Sequence, residues 1–338
     1  MNSKRRLLHS LDLQHVDRPV VACVVTGITH AMMEKTGIPW TEAHGEARRM
    51  ADLAQATWTL AGIESIKLPF DMAVESEALG AKIDYGGLDR LPTEARPLFN
   101  DPHQLSIPID FLDHGRISQV LQAIGILRKR YDNEVAVISS IVGPFTLAFK
   151  LFGPENLFVW MKTKPDELHI ALQSLTDLAR RYARAQVEAG ADAILIGEAA
   201  SSGSLISPSH YASFAARYHC TLVKEIAHPC ILHICGNSTK HLPYLAETGV
   251  QGFSFDEGVD IQVARQHLKG RTSLIGYIPT TEILLNGTSQ QVYAYAQECL
   301  QNQVNILAPG CSLPPKVSFE NLAAMVEAGH QFVIPKQT

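Results

Sequence analysis

Leu232-His233-Ile234-Cys235-Gly236-Asn237 is an apolar run that ends in a turn, with Pro229-Cys230-Ile231 before it and Ser238-Thr239 after it. Apolar β-formers giving way to Gly, Asn, Ser and Thr read as a buried strand meeting the start of a helix. His233 and Cys235 are two residues apart, a spacing that points both side chains to one face of a strand. An imidazole and a thiol therefore converge at the carboxyl end of one element. A buried Cys is commonly inert packing and a His-x-Cys pair arises often by chance, so the pair alone does not establish a metal.

A second stretch adds to it. Asn305-Ile306-Leu307-Ala308-Pro309-Gly310-Cys311-Ser312 is another short apolar strand running into a Pro/Gly turn, with a thiol just past its end. Two thiols and an imidazole at the mouths of strands match a zinc site with three protein ligands and room for a fourth. Asp256 and Glu257 follow the short strand Gly252-Phe253-Ser254-Phe255, and either could supply an oxygen ligand.

Working outward from these two stretches, apolar runs predict strands over 20–25, 65–69, 135–140, 193–197, 230–234, 252–255, 273–276 and 305–307. Helical patterns lie between them. One long pattern runs over 40–61, another over 116–131, and Gly143-Pro144-Phe145 opens a third. Thr163-x-x-Asp166, with Pro165 in the first turn, predicts the start of a long helix to about 189, and Thr288-x-x-Gln291 predicts a capped helix to about 301. Eight short strands separated by helices predict a (β/α)8 barrel, a single domain over 1–338 with a helical entry at about 1–18 and a rim insertion at about 79–109. An open doubly wound sheet would want a glycine-rich phosphate loop after its first strand, and Thr26-Gly27-Ile28-Thr29 is not one. Barrel enzymes react at the carboxyl ends of their strands, where His233, Cys235, Asp256, Glu257 and Cys311 all fall.

Composition sets bounds. The chain has 338 residues, 46% hydrophobic and 19% charged, enough to bury a large core and too apolar for disorder. A net charge of -5 gives no basic footprint for nucleic acid. Six cysteines without a framework spacing point to a reducing cytoplasm, and Cys23, Cys220, Cys230 and Cys299 are assigned to packing. No apolar run approaches the roughly 20 residues of a membrane span, so a soluble protein is expected.

With those residues in hand, the chain resembles the uroporphyrinogen decarboxylase superfamily and, within it, the methylcobamide:coenzyme M methyltransferase branch. The likeness runs from Lys4-Arg5-Arg6-Leu7-Leu8 through Asp17-Arg18-Pro19-Val20 to the helix near Met325. Its specific carriers are 232–239 and 306–315, which look like the branch's zinc motifs. Weaker ones are 69–80, from Pro69-Phe70-Asp71 to Leu79-Gly80, and Gly143-Pro144-Phe145-Thr146. The resemblance implies zinc on His233, Cys235 and Cys311, a carboxylate near Glu257 as a displaceable fourth ligand, and a methylated corrinoid as methyl donor. Asp71 lines up with the aspartate that decarboxylases use to hold pyrrole nitrogens. The arginine-rich segment those enzymes carry after the first strand is replaced here by Thr26-Gly27-Ile28-Thr29-His30-Ala31. Gly197-Glu198-Ala199 stands where the branch would have an Asp-Pro, which leaves the acceptor pocket open.

The expected chemistry is methyl transfer from a corrinoid carrier protein to a small acceptor, foremost the thiol of coenzyme M. The alternatives are the same donor with tetrahydrofolate or another acceptor, a metal-free tetrapyrrole decarboxylase, and a non-catalytic barrel that docks corrinoid proteins. Asp71 and Tyr277 are the candidate catalytic residues, and Asp71, Glu198 and Asn237 the candidate cofactor contacts. Asn237 is also read as an ordinary helix cap. Glu75 and Glu77 are expected to cap or solvate a helix. His210, His219 and His228 are expected at the surface or core edge. A broad cavity lined by residues near Asp71, Glu198, His233 and Tyr277 is expected at the mouth, with the segments 79–109 and 201–208 forming its rim.

Overall fold

The computed structural model describes residues 1–334. Eight parallel strands form one sheet: β1 (Val20–Val21), β2 (Ser65–Leu68), β3 (Ala136–Val142), β4 (Ala193–Gly197), β5 (Cys230–His233), β6 (Gly252–Ser254), β7 (Ser273–Ile278) and β8 (Ile306–Pro309). Hydrogen-bonded neighbours run in the order β1, β8, β7, β6, β5, β4, β3, β2, so the two ends of the row are consecutive in the chain and the sheet curls into the expected (β/α)8 barrel. The strands are short and buried throughout, as a parallel sheet covered on both faces requires.

Backbone and side-chain hydrogen bonds together close the last seam. No ladder joins β1 to β2 among the described residues. Instead the Glu64 N–H donates to Val21 O (2.7 Å), and the Val21 N–H donates to the Glu64 carboxylate (3.1 Å). The Cys23 N–H donates to Ser65 Oγ (2.9 Å), which donates in turn to Cys23 O (3.1 Å). Glu64 is fully enclosed and is held by Arg6 and Arg18, with Ser3 donating to it at 2.9 Å. Burial pushes the Glu64 carboxyl up, but hydrogen bonds from Arg18 and the Val21 amide outweigh it and hold the group below its ordinary value. Arg6 and Ser3 come from helix α1 (Ser3–Leu11), so the amino-terminal helix is pinned to the seam by charge as well as by its apolar face.

Two expectations about helices are corrected. The pattern over 40–61 is three helices, Trp40–Ala43, α2 (Ala47–Ala54) and Ala56–Thr59. The first break lies at His44-Gly45, where the His44 side chain turns fully inward and sets Nδ1 3.1 Å from the Asp71 carboxylate. Thr163 does not cap the long helix. It ends the preceding helix Pro154–Thr163 and donates to Val159 O (3.0 Å), while Lys164 is the residue before α4 (Pro165–Ala189). The capping box of Thr288 and Gln291 is present and opens α5 (Ser289–Gln301) as expected. The segment 79–109 carries a small hairpin, Ile83–Asp84 against Thr93–Glu94, and a one-turn 3-10 helix at Pro102–Gln104. No helix among the described residues is long and apolar enough to cross a membrane.

Candidate metal centre

The site begins where β5 ends. His233 is the last residue of the strand and is buried, and Cys235 lies just beyond it, half-buried. Gly236 follows at φ +71°, a left-handed turn that suits glycine, and its N–H donates to the Asp256 carboxylate. Asp256 also accepts from the Gly258 N–H at 3.0 Å, so one carboxylate after β6 ties down two adjacent loops. Cys311 lies two residues past the end of β8.

These three residues meet. His233 Nε2 is 3.1 Å from Cys235 Sγ, Cys235 Sγ is 3.4 Å from Cys311 Sγ, and Cys311 Sγ is 3.7 Å from His233 Nε2. All three ligand atoms lie within 4.8 Å of one another. A tetrahedral zinc with bonds of about 2.0–2.3 Å would set its ligand atoms about 3.6–3.8 Å apart, so the donors are already near the required spacing. His233 Nδ1 lies 3.0 Å from Ser254 Oγ at the end of β6. That contact fixes the ring plane and leaves Nε2 facing the two sulfurs, the support a ligating imidazole needs. Donor types, spacing and imidazole support together fit a zinc ion. The hydrogen bond from Cys235, reinforced by His233, holds the Cys311 thiol below its ordinary value, and the same sharing holds Cys235 above it.

The carboxylates after β6 differ. Both Asp256 oxygens accept backbone N–H groups, whereas Glu257 is exposed and has no hydrogen-bond partner among the described residues. A Cβ placed on Gly310, next to Cys311, would lie 3.4 Å from Glu257 Oε2, so that carboxylate borders the trio without joining it.

The other candidates turn their side chains to other partners, although the Glu198 N–H donates to His233 O (2.9 Å). Asp71 is fully enclosed, receives both arms of Arg116 at 2.7 Å, and caps the Ala73 N–H at 2.9 Å. Burial alone would raise the Asp71 carboxyl, but Arg116 and then His44 drive it far below the carboxylate range. Glu198 is also fully enclosed. Its carboxylate accepts from the Phe145 N–H (3.1 Å), the Thr146 N–H (3.2 Å) and Thr146 Oγ1 (2.9 Å), and faces His219 Nε2 at 3.2 Å. Glu198 thus caps the amino end of α3 (Pro144–Phe152), where a carboxylate meets both the free N–H groups and the helix dipole. Gly143 is required there, because a Cβ would overlap the Glu198 side chain. Tyr277 stacks on Phe255 (5.6 Å between ring centres), accepts from Asn302 Nδ2 (3.0 Å) just after α5, and meets Tyr295 of α5 edge-on. It faces the helix layer and is not brought to the trio. Asn237 is exposed and accepts from the Thr239 N–H (3.1 Å), a cap of the following turn.

Sequence reading missed Arg116, His44 and Ser254, whose partners lie 45, 27 and 21 residues away in the chain. It also set His219 at an edge, whereas the ring is fully buried against Glu198. Glu75 does not solvate a helix: it is enclosed and accepts from the Val142 N–H at 2.7 Å, and burial raises its carboxyl to about 7. Glu77 accepts from Arg116 and from Tyr85.

The family model of uroporphyrinogen decarboxylase (URO-D) matches residues 2–332. A methylated-thiol–coenzyme M methyltransferase of Methanosarcina mazei is 35% identical over 336 residues, 99% of this chain and 91% of that protein. A methylcobamide:CoM methyltransferase (MtbA) of Methanosarcina acetivorans is 34% identical, covering 97% of this chain and 98% of its own. The solved structure of a methyltransferase from Methanosarcina mazei superposes with a TM-score of 0.95 at 33% identity, over 98% of this chain and 99% of the other.

Proposed function

Because the chain belongs to the uroporphyrinogen decarboxylase family, and its similar proteins include enzymes named as methyltransferases that act with coenzyme M, we propose that it moves a methyl group from a protein-borne methylcorrinoid to a small thiol, coenzyme M foremost. The observation that carries this reading is the meeting of His233, Cys235 and Cys311 at the carboxyl ends of β5 and β8. The sulfur of the acceptor attacks the methyl carbon, the carbon–cobalt bond breaks, and its electron pair stays on the corrinoid cobalt. A free thiol near pKa 8.5 is mostly protonated at neutral pH, and a zinc ion held by His233, Cys235 and Cys311 would supply the Lewis acidity that favours the thiolate.

The chain's own residues set up that step. With zinc bound, Cys235 and Cys311 would both ligate as thiolates and keep a third sulfur electron-rich, and Ser254 holds His233 with Nε2 toward them. Glu257 is the displaceable fourth ligand in this reading, since its oxygens are uncommitted while those of Asp256 are occupied by backbone amides. A tetrapyrrole decarboxylase would need Asp71 free to receive pyrrole N–H groups. Here both oxygens are engaged by Arg116, His44 and the Ala73 amide, which weighs against it.

The test follows loss of methylcobalamin with coenzyme M, other thiols and tetrahydrofolate in turn, alongside the metal content of the same sample. The expected outcome is about one zinc per chain and turnover with a thiol. Protein that carries no metal, takes up none and transfers no methyl group would overturn the reading.

A further inference from the structure

Away from the trio, the rim segment forms an open cavity of about 520 Å³ whose walls include Lys82, Arg96, Leu98, Asn100 and Asn156. Lys82 and Arg96 leave adjacent ends of the rim hairpin, where the Ala95 N–H donates to Lys82 O at 2.8 Å. Other cations of this segment and of the helices beside it are paired: Arg90 with Asp84, Lys150 with Glu94 and Lys164 with Asp101, each at 2.6 Å. Among the described residues, Lys82 and Arg96 have no carboxylate within ion-pair distance, although the chain is net negative at -5. Two unpaired cations on one concave wall repel each other and focus a positive potential, an arrangement suited to an anionic group. Asn156 spends its Nδ2 on Phe152 O (3.0 Å), and the Asn100 side chain has no hydrogen-bond partner among the described residues.

The cavity opens on the same face as the trio. In a barrel the helices run against the strands, so the amino end of α4 is on the mouth side, and Lys164 at that end is paired with Asp101 beside Asn100. The cavity is also set apart from the strand ends by the length of α3. Its wall is anchored where the Leu98 and Phe99 N–H groups donate to Leu151 O (2.8 and 3.0 Å), at the far end of α3. A helix of 9 residues that starts at the mouth spans about 13 Å. A small acceptor bound at the trio cannot reach that far, so a group that sits in the cavity during methyl transfer belongs to a macromolecule. Tyr85 and Leu88, on the same hairpin, are exposed apolar residues that such a partner would cover.

We propose that this cavity is a docking point for the methylcorrinoid carrier protein, with surface carboxylates of that protein seated between Lys82 and Arg96. The inference rests on the methyl-transfer reading and adds the chemistry of the partner's surface. Charges remote from the reacting centre act on encounter and docking, so their signature is in KM and in salt dependence.

The experiment compares wild type with the K82Q/R96Q double variant, using as donors free methylcobalamin and a methyl-loaded corrinoid protein of Methanosarcina mazei, at low and high salt. Arg90→Gln, which removes a paired surface cation of the same hairpin, is the control. The expected result is a rise of about tenfold in the ratio of KM for the carrier-borne donor to KM for free methylcobalamin. Most of the salt dependence should be lost as well, and the control should behave as wild type. An unchanged ratio, or an equal effect of the control, would overturn the docking point. Wild type that turns over neither donor would instead overturn the methyl-transfer reading on which it rests.

Discussion

Single side chains at this site divide into those that face the trio and those that hold the mouth together. Cys311 lies past the end of its strand and is half-buried, and it is a small side chain, so its loss removes a ligand atom and little packing. Cys311→Ala is expected to abolish methyl transfer and cut bound zinc to well below one per chain while circular dichroism stays that of the folded barrel; loss of fold in step with loss of metal would mark the site as structural. Arg116 is the opposite case. It holds a fully buried carboxylate with both guanidinium arms, so Arg116→Met leaves the Asp71 charge uncompensated at a cost of about 3–5 kcal/mol, read as a drop in the urea midpoint. The trio was legible in the sequence because His233, Cys235 and Cys311 each sit at a strand end beside a turn that composition reveals. The partners of Asp71, Glu198 and Tyr277 were not legible, because a position at or near a strand end is visible in the chain but the direction of its side chain is not. That direction is set by partners such as Arg116, His219 and Asn302, none of them near in sequence.

Elements show where periodicity informs and where it stops. The eight strands and the helices of the barrel follow from apolar runs and caps. The break at His44-Gly45 does not, because the helical spacing of Met50, Leu53 and Ala54 carries on beyond it and the inward turn of His44 serves Asp71. Helix α3 is a comparable case: its amino end is capped by a carboxylate from the next strand's loop, with no capping residue of its own. Gly143→Ala should therefore force Glu198 off the helix end and lower stability by about 1–3 kcal/mol. The same substitution at Gly45, which has open space around its Cβ position, should cost less; equal losses in thermal melts would count against the cap.

On the scale of the whole molecule, the barrel depends on a charged seam. The Glu64 carboxyl is held below its ordinary value in the folded state, so its contribution is fully present above about pH 4.3 and is lost as pH falls through the folded-state value. Glu64→Gln should be less stable than wild type at neutral pH, with a gap that narrows progressively in acid. Urea titrations across pH 2–7 measure it, and a gap independent of pH would show that the charge of Glu64 is not what holds the seam. The pairing of strands across that seam also fixes an order of events during synthesis. Val20 and Val21 emerge from the ribosome early, yet among the described residues their only ladder partners are Ile306 and Leu307, which are made long afterward. Until β8 emerges, the nascent chain holds β1 without its strand neighbour and offers His233 and Cys235 without Cys311, so the complete three-ligand set arises only in the same late step that lets the ring close.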